Sequence, residues 1–597
     1  MRPLVLVPAL FYALPVAFFL LADAPAPAQQ PAQPPAASSQ PVWRAFERRQ
    51  LTDVYYSEGI GAGDLNRDGH VDLVYGPYWF AGPDWQEKRE LFTAVPQPRE
   101  RYANHFFAWV YDLDGDGWND VLTAGFPGTP AIVYRNPGAE KHDQPWPKHV
   151  VLDSVANESP QWVNVTGDER PELLCTNQGF YGYATWDPAR PFESWTFHAI
   201  SEKTAPNPFG HGLGAGDVDG DGRVDILSKD GWYQQPADLA ASPRWTFHPF
   251  PFAAAGGAEM YAYDVDGDGD QDVITSLAAH EFGLAWFEQV REGGEITFRR
   301  RLIMGDQPGQ NRYGLVISEL HSVNLADIDG DGLKDIVTGK TYWSHHRQSP
   351  QWDAGAVVYW FRLVRTKDGV DWVPYRADGE SGIGRQLLVH DLDRDGHLDL
   401  AAGGMKGAHV LLQRPTPVSD SVWRERQPKL FDGPVWKPLE GKPVVFAGDS
   451  RRVAGVLEAE SLKVVKATGG RAGAQEMRGF STGRWSDDKQ LFWGGAKPGD
   501  RLELEVEAAE AGEYSLSLAF TLARDFGIVR VSWNDQPLGQ PLDLYASPDV
   551  LASGEVSLGV VAAVAGKNRL TLEITGANPA AVKAHIIGVD YLRLTPK

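Results

Sequence analysis

The sequence predicts an all-β protein, a seven-bladed β-propeller followed by a jelly-roll-like β-sandwich. Three observations carry that prediction. An Asp-rich loop occurs six times intact and once degenerate, its copies lie roughly fifty residues apart, and after about residue 430 the loop disappears while strand-like alternation continues. The composition agrees: 63 Gly and 43 Pro against 5 Met favour many turns and short strands over helical bundles.

The chain opens with one early charge, Arg2, and an apolar run, LVLVPALFYALPVAFFLLA, ahead of the small residues Ala26-Pro27-Ala28. Residues 1–28 therefore read as a secretory signal peptide. Residues 29–41 follow as a Pro/Ala-rich spacer with nothing to bury. The expected location is secreted or periplasmic, with no membrane association beyond the leader. One cysteine in 597 residues excludes a disulfide framework and a Cys-rich metal site. A net charge of −23 argues against nucleic acid as a partner.

The repeats are GDLNRDGHVDLV from Gly63, YDLDGDGWNDVL from Tyr111, VNVTGDERPELL from Val163, GDVDGDGRVDIL from Gly216, YDVDGDGDQDVI from Tyr263, ADIDGDGLKDIV from Ala326 and HDLDRDGHLDLA from His390. Between first acidic positions the spacings are 48, 52, 53, 47, 63 and 64. A period near fifty suits one four-stranded blade per repeat, and a closed ring of blades hides its own strand edges. Residues 42–430 are assigned to the propeller; either VWRAFERR near Trp43 or VWRERQ near Trp423 could supply the closing strand.

With its D-x-[DN]-x-D-G-x-x-D motif repeated this often, the region resembles the FG-GAP/VCBS repeat family of integrin α-chains and many secreted bacterial proteins. It is also similar to the propeller of aldos-2-ulose dehydratase, which acts on oxidised sugars, although that enzyme's cupin domains are not found here.

Hard cations need six to eight oxygens, and loop positions 1, 3, 5 and 9 supply carboxylates at the right spacing. The ligand sets are Asp64, Asn66, Asp68 and Asp72; Asp112, Asp114, Asp116 and Asp120; Asp217, Asp219, Asp221 and Asp225; Asp264, Asp266, Asp268 and Asp272; Asp327, Asp329, Asp331 and Asp335; and Asp391, Asp393, Asp395 and Asp399. Ca2+ is the expected ion, about six in all, with a structural role. The third loop (Asn164, Thr166, Asp168, Glu172) has lost charge.

The start of each innermost strand should lie at the end opposite its acidic loop. Those starts read Glu58, His105, Glu158, His211, Glu259, His321 and Arg385, with His105 and Glu259 one residue out of register. Turns between second and third strands, including PYWF, GFYGY, KDGWY, AHEF and KTYWSHH, should open on the same mouth. Trp79, Tyr181, Tyr183, Trp232 and Trp343 are the candidate sugar-stacking rings there. His105, His211 and His321 are candidates for acid–base work or for a Zn2+ or Mn2+ site, with Lys229 or Lys340 to stabilise an enolate. The bland alternative is a ring of ordinary polar residues around a solvent channel, with the aromatics packed between blades.

Residues 431–450 read as a linker, and 451–597 as the sandwich, from strands such as RLELEVEAA, GEYSLSLAF and GVDYLRL. LEAE (Leu457–Glu460), KPGDRLELEV and the closing GVDYLRL resemble carbohydrate-binding modules of families 6 and 35. That resemblance implies a structural cation shared by Glu458 or Glu460 with Asp590, and glycan contact by loop residues among Trp485, Trp493, Trp533, Asn534 and Tyr545.

Three functions stay open on this reading: a secreted calcium-binding carbohydrate-recognition protein, either holding or processing glycans, a metal-dependent carbohydrate lyase or dehydratase, and a protein–protein adhesion propeller. A glycan or glycoside is the expected partner, and a protein partner is not excluded by anything in the sequence. A P-loop, a dinucleotide fingerprint and a hydrolytic triad are all missing from the motifs.

Overall fold

The acidic loop of each repeat reverses the chain between two short strands, and in the first six repeats two further turns add a third and a fourth. The computed structural model describes residues 40–597 except 343–348, 445, 447–450, 481–483 and 548. The expected leader, all but the last two residues of the spacer, and Trp343 lie outside the described residues.

Among the described residues the propeller comprises seven four-stranded blades in chain order, five as separate sheets and two, the fourth and fifth, joined through their inner strands into one eight-stranded sheet. Their innermost strands are Gly61–Gly63, His105–Tyr111, Gln161–Val163, Leu213–Gly216, Glu259–Tyr263, Val323–Ala326 and Leu387–His390. The seventh blade takes its outer strand from the other end of the chain: Val42–Thr52 lies beside Gly407–Pro417. Of the two sequence candidates for that latch, VWRAFERR is the strand. The other, VWRERQ, falls in a helix, Asp420–Arg426, whose Trp423 meets Trp43 edge-on at 6.5 Å.

Neighbouring blades meet tightly at their inner strands. Leu213–Ala215 pairs in parallel with Glu259–Tyr261, and isolated bridges join Gly59 to Gln386, Asn157 to Gly210 and Thr341 to Ile383. The glycines of these strands serve that approach: a Cβ on Gly214 would sit 2.0 Å from the carbonyl oxygen of Met260. Apolar clusters fill the wedges farther out. Leu174, Tyr181, Ile226, Tyr233 and Trp245 lie between blades three and four, and Leu65, Val74, Trp79, Val121 and Tyr134 between blades one and two.

A recurrent side-chain amide stitches blades together near the acidic loops. Asn136 and Gln235, just beyond the end of a third strand, and Gln289 and Gln413, within one, are buried. Every one donates twice, once inside its own blade and once to the preceding blade's loop. Gln289, for example, reaches Gln271 O at 2.7 Å and Val218 O at 3.0 Å. Asn136 does the same to Asn119 O and Leu65 O, Gln235 to Val224 O and Val165 O, and Gln413 to Leu398 O and Ile328 O. In blade six the equivalent residue is Leu363, and Arg365 reaches Val265 O instead, at 2.9 Å.

The sandwich has one sheet containing Arg471–Glu476, Lys489–Gly494, Ile587–Pro596, Gly512–Leu522 and Leu551–Ala563, with Leu457–Glu458 beside Ile587–Pro596. The facing sheet holds Lys463–Ala467, Arg501–Ala508, Gly566–Ala577, Gly527–Trp533 and Gln536–Asp543. Alternate residues such as Leu502, Leu504 and Val506 enter a core with Trp493, Phe520 and Trp533.

The segment expected to be a linker is tied down at several points. Phe431 N donates to Arg312 O at 2.7 Å, Trp436 meets Tyr545 at 5.4 Å, and Lys442 bridges to Glu555 in the sandwich. Sandwich loops also reach the propeller directly: Tyr545 Oη donates to Asp306 at 2.5 Å, Lys583 pairs with Asp353 at 2.9 Å, and Arg524 pairs with Glu281. Removing the inter-blade amide by Gln289→Leu strands two buried carbonyls. It should lower unfolding free energy by about 2–3 kcal/mol, read as a lower urea midpoint at unchanged m.

Candidate functional site

The acidic loops and the mouth residues lie at opposite ends of the innermost strands, as in blade four, where Leu213–Gly216 separates His211 from Asp217. In five loops, carboxylate oxygens from three aspartates fall within 4.8 Å of one another. The groups are Asp112, Asp114 and Asp116; Asp217, Asp219 and Asp225; Asp264, Asp266 and Asp272; Asp327, Asp329 and Asp335; and Asp391, Asp393 and Asp399. Each could hold a metal ion. The blade-one loop, where Asn66 donates to Asp68 at 2.9 Å, is not among these groups. In the third loop Thr166 donates to Glu172 at 3.1 Å and Arg170 pairs with Asp168 at 2.6 Å, so its residues largely satisfy each other.

The ninth-position aspartate does a second job that spacing did not reveal. Asp225 is buried, and its two oxygens accept N–H groups from Val218 at 2.9 Å and Gln235 at 2.8 Å. Asp72, Asp120, Asp272, Asp335 and Asp399 repeat that pair of bonds. Burial, with help from the neighbouring Asp219 and Asp221, pushes Asp225 up to about 7, and the same causes push Asp335 up to about 8. A divalent cation among the carboxylates would oppose that push. Arginines already offset part of the charge: Arg362 lies 2.6 Å from Asp329, and Arg414 lies 2.9 Å from Asp393.

At the mouth, the structure gathers Glu58, Glu158, His211, His321 and Arg385, and adds three residues the sequence reading did not single out: Tyr55, His280 and Glu319. Arg385 is fully buried; its backbone N–H donates to Glu58 O at 2.6 Å and its Nε to Glu158 Oε2 at 2.8 Å. The guanidinium lies 4.8 Å from the Tyr102 ring centre. Burial opposes its charge, but Glu158 and Glu58 outweigh that and hold it cationic. Glu58 accepts a hydrogen bond from Tyr55 Oη, and burial raises its carboxyl above the usual range against the pull of Arg385.

Three imidazoles stand in series. His211 Nε2 lies 3.0 Å from His280 Nε2, His280 Nδ1 lies 3.0 Å from His321 Nε2, and His321 Nδ1 lies 3.3 Å from Glu319 O. The carbonyl accepts, so His321 carries its proton on Nδ1, and burial pushes this ring's pKa well down. With neutral rings, His280 then donates from Nδ1 to His321, and His211 donates from Nε2 to His280. The outer end meets Glu158, 3.8 Å from His211. Glu319 holds a left-handed backbone at φ +64 and is fully buried 3.6 Å from Lys340. Burial pushes its carboxyl up to about 7, against Lys340 and Arg385, while burial lowers Lys340.

Several expectations are corrected by geometry. His105 does not join the other histidines: a bulge between His105 and Phe107 interrupts its strand register, and its ring packs 4.8 Å from Phe92. Burial drives His105 down to about 4. Lys229 pairs with Asp230 at 2.8 Å rather than with the histidines. The rings expected to face a sugar across the mouth are core residues instead. Trp79 and Trp232 are buried, Trp232 stacking on His248 at 4.2 Å, and Tyr183 stacks on His198 at 5.0 Å. Tyr181 is buried between blades three and four. Trp485 and Trp493 are likewise buried, donating to Thr521 at 2.8 Å and to Gly469 O at 2.9 Å. Tyr545 faces the propeller, as above. In the sandwich, Ser486 gathers Glu458 and Asp590 at 2.8 and 2.9 Å, and one oxygen each of Glu458 and Glu460 is buried without a hydrogen bond. Burial, then Glu458 and Glu460, pushes Asp590 up to about 8.

His280 was missed because its turn has no fixed register, although AHEF marked the segment. Its neighbours Glu281 and Phe282 touch the sandwich, through Arg524 and through a cluster with Tyr545, Ala580 and Ala581. Among the described residues no helix is long and apolar enough to cross a membrane.

No family model matches the chain, and no curated protein does. Among solved structures, an exo-β-1,3-galactanase from Phanerochaete chrysosporium aligns at 12% identity over 92% of this chain and 99% of its own, TM-score 0.26. A family 35 carbohydrate-binding module from an environmental isolate aligns at 17% identity over 24% of this chain and 93% of its own, TM-score 0.18. A Podospora anserina β-(1,4)-mannanase carrying such a module aligns at 16% identity, TM-score 0.17, over 24% of this chain, and the match spans 27% of the mannanase. These neighbours are carbohydrate-acting enzymes and binding modules; at such scores they assign neither family nor activity to this chain.

Glu259 supplies a pH test. It is buried, accepts Val323 N–H at 2.8 Å, and is pushed up to about 8 by burial. A carboxyl raised in the folded state holds its proton better there than when unfolded, so its stabilising effect is lost as pH rises from about 4 to 8. Glu259→Gln should therefore leave stability unchanged near pH 4 and raise it by about 2–4 kcal/mol at pH 8, measured by urea unfolding at both pH values.

Proposed function

We propose that the chain is a secreted calcium-binding propeller protein that recognises carbohydrate at the propeller mouth. One observation carries this reading. Around the mouth, buried polar atoms of Glu58, Ser159, Thr341 and Arg385 have no hydrogen-bond partner among the described residues. Buried polar groups are ordinarily paired, so donors and acceptors concentrated at one mouth match a polyhydroxylated ligand. The carbohydrate-acting neighbours agree with a glycan partner without adding weight to it.

Binding of an oligosaccharide panel to the full-length mature protein, followed by calorimetry, tests the reading. Glu319→Gln should weaken the bound glycan about tenfold, the worth of one charge-assisted hydrogen bond. Unchanged affinity in that variant, or no glycan bound at all, would sink it.

The proposed role of calcium is to fix the acidic loops. Asp, Gly and carbonyl oxygens at this spacing suit a flexible oxygen cage, which Mg2+ rarely accepts. Each loop ion at a hundred times its dissociation constant adds about 2.7 kcal/mol. Chelation should lower the thermal midpoint, and Asp219→Ala should remove one calcium equivalent by elemental analysis. The sandwich group of Glu458, Glu460 and Asp590 is proposed to hold a further ion.

A second reading, a lyase or dehydratase, is favoured by the imidazole series. His321 donates Nδ1–H to a backbone carbonyl, which fixes its tautomer, and turns Nε2 toward His280. Tied ring to ring, His211, His280 and His321 are not among the groups of described residues placed to hold a metal ion; as a series they would pass protons to and from a substrate oxygen. Lys340 and Glu319 would orient the sugar and exchange its protons. Turnover of a glycoside that is lost in His280→Ala, with the thermal midpoint kept, would establish this reading.

A further inference from the structure

The flank of the propeller carries a cavity separate from the mouth. It has a volume of about 380 Å3, opens between blades three and four, and is lined by Tyr181, Tyr233, Trp245 and Phe247 with Ser201, Glu202, Thr204, Asp230 and Arg244 at its polar side. That volume falls within the roughly 300–1,000 Å3 of small-molecule sites.

Three features make it a built site. First, the aromatic wall is continuous: Tyr181 and Tyr233 rings lie 5.6 Å apart and Tyr233 and Phe247 4.7 Å apart. Phe247 keeps 40% of its surface exposed, whereas Trp245 keeps 6%. Second, Tyr181 is 4% exposed, and its hydroxyl is buried in this wall beside the Ser228 side chain, with which it interacts without making a hydrogen bond of ordinary geometry. Ser228, which also lines the cavity, uses its own hydroxyl to donate to Gly231 O at 3.0 Å. Third, the polar side is held in place. Arg244 Nη1 donates to Ala199 O at 2.9 Å and to Ser201 O, and the Ser201 hydroxyl accepts Tyr181 N–H at 2.9 Å.

Charge decides the class of ligand. Each lining carboxylate has its own cation: Glu202 faces Arg244 at 3.9 Å, and Asp230 faces Lys229 at 2.8 Å. The site is electrically balanced, so an ionic ligand would have to break a pair, while a neutral ring with equatorial hydroxyls would use both. Apolar ring faces beside rigid polar tips suit the two sides of a pyranose.

We infer that this inter-blade cavity binds one neutral pyranose unit, Tyr181 donating its hydroxyl to the sugar and Phe247 covering a ring face. The site is independent of the mouth and needs none of its residues. In a glycan-recognising protein it would act as a second point of attachment, raising retention on a polymer through effective concentration.

The test uses the full-length protein with methyl glycosides of glucose, galactose, mannose and N-acetylglucosamine, and with glucuronate as the charged control, followed by saturation-transfer NMR and calorimetry. Saturable binding of a neutral glycoside is expected. Tyr181→Phe should weaken it about tenfold, one hydrogen bond's worth, and Phe247→Ala, at an exposed position, should weaken it without loss of folding. Glu319→Gln at the mouth should leave it unchanged. No saturable binding by any neutral glycoside, binding of glucuronate alone, or binding that survives both flank variants would each overturn the inference. Binding lost in Glu319→Gln but kept in Tyr181→Phe would overturn it too, while leaving the mouth reading standing.

Discussion

A buried carboxylate that holds two backbone N–H groups is the constraint on which the propeller depends. In six of the seven blades the ninth-position aspartate, typified by Asp225, closes its own loop with one oxygen and holds a backbone N–H in or just beyond the third strand with the other. That anchors the residue from which the next contact starts: Gln235 donates its side-chain amide into blade three. The acidic motif is thus the first link in a stitch that runs from loop to strand end to neighbouring blade. In four of the five groups that could hold an ion, the inward aspartate stands beside the outward ones, so one carboxylate serves both fold and loop.

This arrangement leaves the opposite end of the ring open to chemistry. The inner strands there need no acidic staple, and the residues that line them are buried acids, bases and imidazoles with little structural reason to be present. Burying ionisable groups costs several kcal/mol each unless they are paired or used. Arg385 with Glu158 and Lys340 with Glu319 recover part of that cost, and the strained backbone at Glu319 adds to it. Such concentrations of perturbed groups mark working sites more often than scaffolds.

Much of the architecture was legible because its determinants are local. Nine consecutive residues specify each acidic loop, so the repeats, the blade number and the end of the inner strand that carries Asp217 or Asp327 could be read directly. Mouth residues at fixed register, such as Glu58, His211 and Arg385, followed from strand length. His280 did not, because it sits on a turn whose length varies between blades. The amide stitch was hidden for another reason: Gln289 and Val218 are 71 positions apart, and no local pattern distinguishes a bridging glutamine from an exposed one. The aromatic rings misled because a residue beside a turn can point into the channel or into the wedge between blades, and Trp79 and Trp232 take the wedge. His105 was displaced by a bulge, which shifts a side chain by one face without altering the motif around it.

The seventh blade joins Val42–Thr52 to Gly407–Pro417, segments more than 350 residues apart in the chain. Six blades can form in order as the polypeptide emerges, but the last must wait for a partner made long before. That non-local pairing is a slow step in folding, and during it the early strand offers an unpaired edge to any neighbour. The same arrangement has a mechanical side. Tension applied at the amino-terminal end would peel one outer strand from the rim before it loaded any inner strand, so the toroid should open by unzipping at its seam rather than by tearing across a blade.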